Sequence, residues 1–215
     1  MSQTKTQTET QTLSYPANVP PQVFTQAVLE WLPWLDPLPE AELTERHRAG
    51  LVDAARAKSP YFMLLARDPD ILGARTRTDK DIFYNPDAGL PRAERELAAA
   101  ATSRFNGCIY CASVHARFAS HFSPRSADLQ RLLDEGVNAA LDPRWDAIVA
   151  ASVALSATPV ALDASHLDAL RTAGLDDLAI SDVIHSAAFF NWANRLMLSL
   201  GEPKAPDTAA AAAVA

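Results

Sequence analysis

Residues 89–119, GLPRAERELAAAATSRFNGCIYCASVHARFA, decide how the rest of the chain is read. Leu90-Pro91 opens a helix, because proline suits a first turn, where its missing N–H has no partner to lose. Glu94 and Glu96 follow in the early turns, where negative charge meets the positive end of the helix dipole. The alanine-rich run carries the helix to Phe105, and Asn106-Gly107 stops it. A second helix starts at Cys108 and runs to about His121. If the two helices fold back through Asn106-Gly107, Glu96 meets His115.

Outward from this hairpin the pattern stays helical. Residues 21–35, PQVFTQAVLEWLPWL, place Val23, Phe24, Ala27, Val28 and Trp31 on one helical stripe. A second segment spans about Glu40 to Lys58 and stops before Ser59-Pro60, and YFMLLA adds a short turn of helix. Asp68-Pro69, Ser123-Pro124, Asp142-Pro143, Asp163 and Asp176-Asp177 each read as a helix start. Gly136, Gly174 and Gly201 each read as a stop. The pattern predicts an all-α fold of eight or nine helices with no convincing strand. Residues 1–20, rich in Thr and Gln, and residues 204–215, ending in an alanine run, read as disordered tails. Residues 21–203 are then one domain, with an active-site core at about 80–122.

Bulk properties narrow the function. The 215 residues are 48% hydrophobic and 21% charged, as expected of a globular chain. The net charge of −7 and the lack of a basic run argue against a nucleic-acid groove or an anionic membrane partner. No apolar stretch is long enough to span a bilayer, and the N-terminus lacks the apolar core of a secretory signal. A cytoplasmic protein is expected, in a compartment that keeps thiols reduced unless chemistry uses them.

Cys108 and Cys111 are the only cysteines. A disulfide between them closes almost no loop, so a structural staple is a poor reading. Core burial alone would explain one cysteine better than a Cys-x-x-Cys pair followed by a histidine. Cys108, Cys111 and His115 share a helical face and Glu96 could join them around a metal, yet no second Cys/His pair exists. Haem attachment needs a histidine directly after Cys111, and that residue is Ala112. A redox pair fits best. Side chains one turn apart have Cβ atoms about 5–6 Å apart, so a disulfide forms there with strain and is readily reduced. The helix start lowers a thiol pKa, which favours Cys108, whereas His115, one turn on, favours Cys111. Glu96 would orient that imidazole.

The stretch at 89–119, together with AFFNWANRLMLSLGEP near the C-terminus, resembles the AhpD-like alkylhydroperoxidase and carboxymuconolactone decarboxylase superfamily, closest to its uncharacterised peroxidase-related branch. The resemblance implies an all-α fold and a homo-oligomer. It implies a thiol-dependent peroxidase that reduces organic or hydrogen peroxide with no resident cofactor or metal. Cys111 would be the peroxidatic cysteine and Cys108 the resolving one. His115 and Glu96 would form the proton relay, and a lipoyl- or thioredoxin-like dithiol would be the reductant. The family pattern has a histidine just before the second cysteine, and this chain has Tyr110 there. Two alternatives are a lactone decarboxylase of the same superfamily and a non-catalytic metal-binding or redox-responsive assembly protein.

The final helix carries His185, Phe189, Phe190, Asn191, Trp192, Asn194 and Arg195. These residues read as core packing, or as a pocket wall that brings His185 or Asn191 near the thiols. His47, His121 and His166 are expected at the surface, and Trp31 and Trp34 at a subunit interface.

Overall fold

The N-terminal stretch expected as a helix is not one. In the computed structural model, which describes residues 11–206, residues 21–29 are irregular and Glu30–Pro33 forms a strand, β1. It pairs antiparallel with a second strand, β2 (Gly201–Lys204), in the register Trp31 opposite Pro203 and Leu32 opposite Glu202. The apolar residues of 21–35 match a helical stripe, but Pro20, Pro21 and Pro33 break the helix from both sides. Trp31 and Pro33 turn inward on β1, while Val23 and Val28 are exposed. Trp31 is therefore a core residue of its own subunit, edge-on to the Tyr61 ring with centroids 5.5 Å apart.

Residues 11–20, expected within a tail, run along this strand pair. Leu13 N–H donates to Trp34 O at 2.8 Å, Tyr15 Oη to Pro33 O at 2.7 Å, and Asn18 Nδ2 to Glu202 Oε1 at 2.7 Å. Residues 1–10 and 207–215, the ends of the expected tails, lie outside the described residues.

The rest is helical, as the sequence predicts. The described residues hold nine α-helices: α1 Glu45–Leu51, α2 Pro60–Leu65, α3 Pro69–Tyr84, α4 Arg92–Phe105, α5 Ile109–Phe122, α6 Ser126–Glu135, α7 Pro143–Ser156, α8 Ala164–Thr172 and α9 Asp177–Leu200. The Asp-Pro and Asp starts behave as read. Asp142 accepts from the backbone of Arg144 and Trp145, and Asp163 and Asp176 cap α8 and α9. The segment expected at 40–58 splits instead into a short turn at Glu40–Glu42, α1, and a second turn at Ala54–Lys58. Val52, with a left-handed φ of 64°, makes the break after α1.

α4 is the central element. It packs against α5, α7 and α9, and Ala98, Ala99, Ala100 and Ala101 are fully buried. Small side chains let three helices approach one axis closely. α4 ends in a Schellman turn: Cys108 N–H bonds Ser103 O at 2.9 Å and Gly107 N–H bonds Arg104 O at 3.4 Å. Gly107 takes a φ of +78° there, which a side chain would oppose. The turn delivers Cys108 to the first position before α5.

Candidate functional site

The α4–α5 hairpin does what the spacing predicts. Glu96, only 1% exposed, places Oε2 2.5 Å from Nδ1 of His115. Its other oxygen accepts from Arg92 Nε at 2.7 Å, one turn back on α4. Arg92 also donates to the carbonyl of Phe83 and stacks over the Tyr84 ring at 4.2 Å. With Glu96 on Nδ1, the Nε2 atom of His115 is the one free to act on a substrate. Phe83 and Phe190 flank the imidazole, with centroids 5.4 Å and 3.8 Å away.

Both cysteines are free thiols and buried, Cys108 at 2% exposure and Cys111 at 5%. Their environments push them in opposite directions. Cys108 is held below the ordinary cysteine pKa, chiefly because the Cys111 thiol donates to it, with the amides of Cys111 and Tyr110 adding to the effect against burial. Cys111 is pushed well up, first by that same donation, then by burial and by negative charge on Cys108. Asn194 and the charge of Arg75 pull Cys111 down without prevailing. Cys108 is thus the more acidic thiol, the one dipole reasoning favours, with the Cys111 S–H as the main cause and the amides of the helix start as a smaller one.

Access divides differently. Cys111, His115 and Glu96 line one cavity of about 260 Å³, walled by Tyr61, Phe62, Phe83, Phe118 and Phe190. Cys108 lines a separate cleft of about 190 Å³ with Gly107, Ile109, Trp31 and Leu198. Tyr110 and Met197 line both. Tyr110 therefore forms part of the partition between them. Its hydroxyl is pushed above the ordinary tyrosine pKa by burial and by the charge of Cys111.

Of the final-helix candidates, His185 is exposed and does not join the thiols. Asn191 meets Asn106, whose Nδ2 donates to it and to Asn194 Oδ1, each at 3.1 Å. Asn194, fully buried, also donates to Ser103 Oγ at 3.0 Å, tying α9 to the end of α4. His121 is exposed, while His47 and His166 are half-buried and close capping boxes on α1 and α8. Among the described residues no group of three or more His, Cys, Asp or Glu side chains converges as a metal site. No helix among them is long and apolar enough to cross a membrane.

Sequence reasoning missed Arg92, Arg75, Arg56 and Tyr61. The spacing of Arg92 four residues before Glu96 is a legible ion-pair signal. Arg75 lies in a run of alternating charge, RTRTDKD, which reads as a solvated face and conceals one buried guanidinium.

Residues 69–154 match the carboxymuconolactone decarboxylase family. A peroxidase-related protein with an AhpD core from Ralstonia eutropha superposes with a TM-score of 0.65 at 23% identity, covering 81% of this chain and 90% of that one. The chain has the AhpD-like fold, and its residues 69–154 carry the likeness to the decarboxylase family. A peroxidase-related protein from Silicibacter gives a TM-score of 0.64 at 21% identity over 87% of this chain and 95% of that one. A debrominase shares the AhpD-like fold at a TM-score of 0.62 and 18% identity over 76% and 88%. No curated protein sequence is similar enough to count as a match.

Proposed function

We infer that this AhpD-like protein is a thiol-dependent peroxidase acting on hydrogen peroxide or an organic hydroperoxide. The observation that carries the reading is the cavity in which Cys111 shares a wall with an imidazole backed by a buried carboxylate, while its partner thiol opens elsewhere.

In the cycle, Cys108 holds the first negative charge of the pair. As a peroxide approaches, the Cys111 proton passes along the S–H···S contact to Cys108. The Cys111 thiolate attacks the nearer peroxide oxygen, the O–O bond breaks, and His115 gives a proton from Nε2 to the departing alkoxide. Cys111 becomes a sulfenic acid and an alcohol or water leaves. The Cys108 thiol condenses with the sulfenic acid, forming the disulfide and releasing water. A dithiol reductant attacks the Cys108 sulfur from the second cleft and returns both thiols by exchange. His115 recovers its proton from solvent. Glu96 holds the ring and stabilises the protonated imidazole, and Arg92 holds Glu96.

Intact-mass measurement after one equivalent of hydrogen peroxide tests this. The wild type loses two hydrogens as the disulfide forms. Cys108→Ser accumulates one oxygen as sulfenic acid, and Cys111→Ser changes in neither way. Rapid oxidation of Cys111→Ser at Cys108 defeats the assignment.

The aromatic walls favour one second reading. A debrominase with this fold has been solved with 2,3,4-tribromopyrrole. Two thiols can convert an aryl C–Br bond to C–H with loss of bromide and formation of the same disulfide. Stoichiometric bromide release from a bromopyrrole by the reduced protein, without turnover of peroxide, selects that reading. A lactone decarboxylase would work after both thiols are alkylated, which separates it from either. Homo-oligomer formation belongs to the same reading: Leu35, Ile71 and Trp192 are exposed around one groove, and light scattering tests it.

A further inference from the structure

The cavity beside Cys111 has a second chemical feature at its other wall. Arg75 of α3 is 8% exposed, yet its Nε and Nη1 atoms meet no hydrogen-bond acceptor among the described residues. Arg56 Nη1 is buried and unpartnered in the same way, and the buried Tyr61 hydroxyl has the Arg75 guanidinium as its polar neighbour. All three residues line this cavity, together with Asp79 and Ser59.

Buried carboxylates elsewhere are satisfied, and away from this cavity the one buried guanidinium nitrogen left open among the described residues is Arg95 Nε, whose Nη1 bonds two carbonyls. Glu96 is bonded at both oxygens, and the Glu94 carboxylate takes two bonds from Arg144, at 2.7 Å and 2.8 Å. Buried donors are normally satisfied, so several left open on one cavity wall mark a place where a ligand completes them.

The charge balance states the sign. Asp79 Oδ2 lies 3.3 Å from Arg56 Nη2 and 3.8 Å from Arg75 Nη1, so one carboxylate serves two guanidiniums. Arg92 and Glu96 form a separate pair. One positive charge is left over at the Arg56–Arg75 wall. Arg75 is fixed in place by aromatic faces, 5.2 Å from both the Phe62 and Phe189 ring centroids, and these contacts hold the guanidinium plane without using its in-plane N–H groups. A rigid guanidinium with open N–H groups matches a planar carboxylate. The walls between it and the thiol, formed by Tyr61, Phe83 and Phe190, suit an apolar body.

We propose that Arg75, assisted by Arg56, anchors the carboxylate of an apolar hydroperoxide substrate and so presents its peroxide group to Cys111. The proposal rests on the peroxidase reading for the reacting end of the substrate. The anchor itself is independent of turnover, and it is tested by binding.

The probes are benzoate and benzamide, of equal shape and differing in charge, titrated calorimetrically into the reduced full-length protein without peroxide. Benzoate binds roughly tenfold or more tighter than benzamide, as a charge-assisted bond to a buried guanidinium requires. Arg75→Gln removes that preference and leaves benzamide unchanged. Arg56→Gln, at the more exposed rim, weakens benzoate to a smaller degree and provides the readout if Arg75→Gln does not fold. Equal binding of the two probes, no binding of benzoate, or benzoate affinity unchanged in the folded variants overturns the anchor. Turnover of hydrogen peroxide, which has no carboxylate, is measured in parallel. Its loss with benzoate selectivity intact overturns the peroxidase reading and leaves the anchor standing.

Discussion

Cys108 and Cys111 differ in what each is placed to do. The acidic thiol lines the smaller cleft, and the thiol beside His115 holds its proton tightly. A proton passed between the two sulfurs reconciles these facts, and it has a pH signature. The oxidative half-reaction needs the pair to have lost one proton, and that proton comes from Cys108. Its rate therefore rises with pH through a midpoint below the ordinary cysteine value of 9.0. In Cys108→Ala, Cys111 must ionise alone in a buried site, so the midpoint moves to higher pH. Stopped-flow tryptophan fluorescence during peroxide addition measures both profiles, and identical midpoints would refute the shared proton. In the proposed cycle Glu96 is the residue that holds His115 in place. Glu96→Gln keeps the shape but leaves His115 without a charged partner and Arg92 without its ion pair. Loss of about 10²–10⁴-fold in the oxidative rate is expected, the usual contribution of positioned acid–base groups. Disulfide reduction by an added dithiol should be little changed, and if both steps slow alike Glu96 is structural only.

At the scale of elements, legibility follows locality. α4, α5 and their turn were readable because their signals lie within the elements themselves: proline at the start, the Asn106-Gly107 stop, and cysteines one turn apart. The Glu96–His115 contact followed from one tight turn. β1 was not readable, because the reason for it lies at residues 201–204, far along the chain. The cavity wall from α2 and α3 was hidden for the same reason: Tyr61 and Arg75 owe their role to tertiary packing and have no local motif. Gly201 shows how tight the long-range pairing is. A Cβ there would sit 2.3 Å from Leu32 O and 2.4 Å from the Trp31 ring, neither of which can move alone. Gly201→Ala should therefore cost about 1–3 kcal/mol of stability, the usual range for overpacking. It should also shift tryptophan emission to the red as Trp31 leaves the core. Unchanged thermal unfolding and emission would show that β1 is not held by this contact.

Across the whole molecule, the buried thiol pair is reached from two sides. The cavity on the α2–α3 side leads to Cys111, and the cleft bounded by Pro21, Gln22, Leu198 and Gly201 leads to Cys108. β1, β2 and the residues preceding them form much of that second entrance, so on the peroxidase reading the N-terminal strand that local pattern does not predict shapes the path of the reductant. Separate entrances allow a small peroxide and a bulky dithiol donor to use one disulfide without competing for one opening. Leu198 is exposed on α9 and lines only the second cleft, so enlarging it narrows one path and spares the other. In Leu198→Trp, oxidation of the thiol pair by hydrogen peroxide should run at the wild-type rate. Reduction of the resulting disulfide by a protein dithiol should slow several-fold, while a small dithiol is affected less. Rapid-mixing measurements of the two half-reactions give these rates separately. If peroxide oxidation slows as much as protein-dithiol reduction, the two openings are not separate routes, and Cys108 and Cys111 share a single entrance.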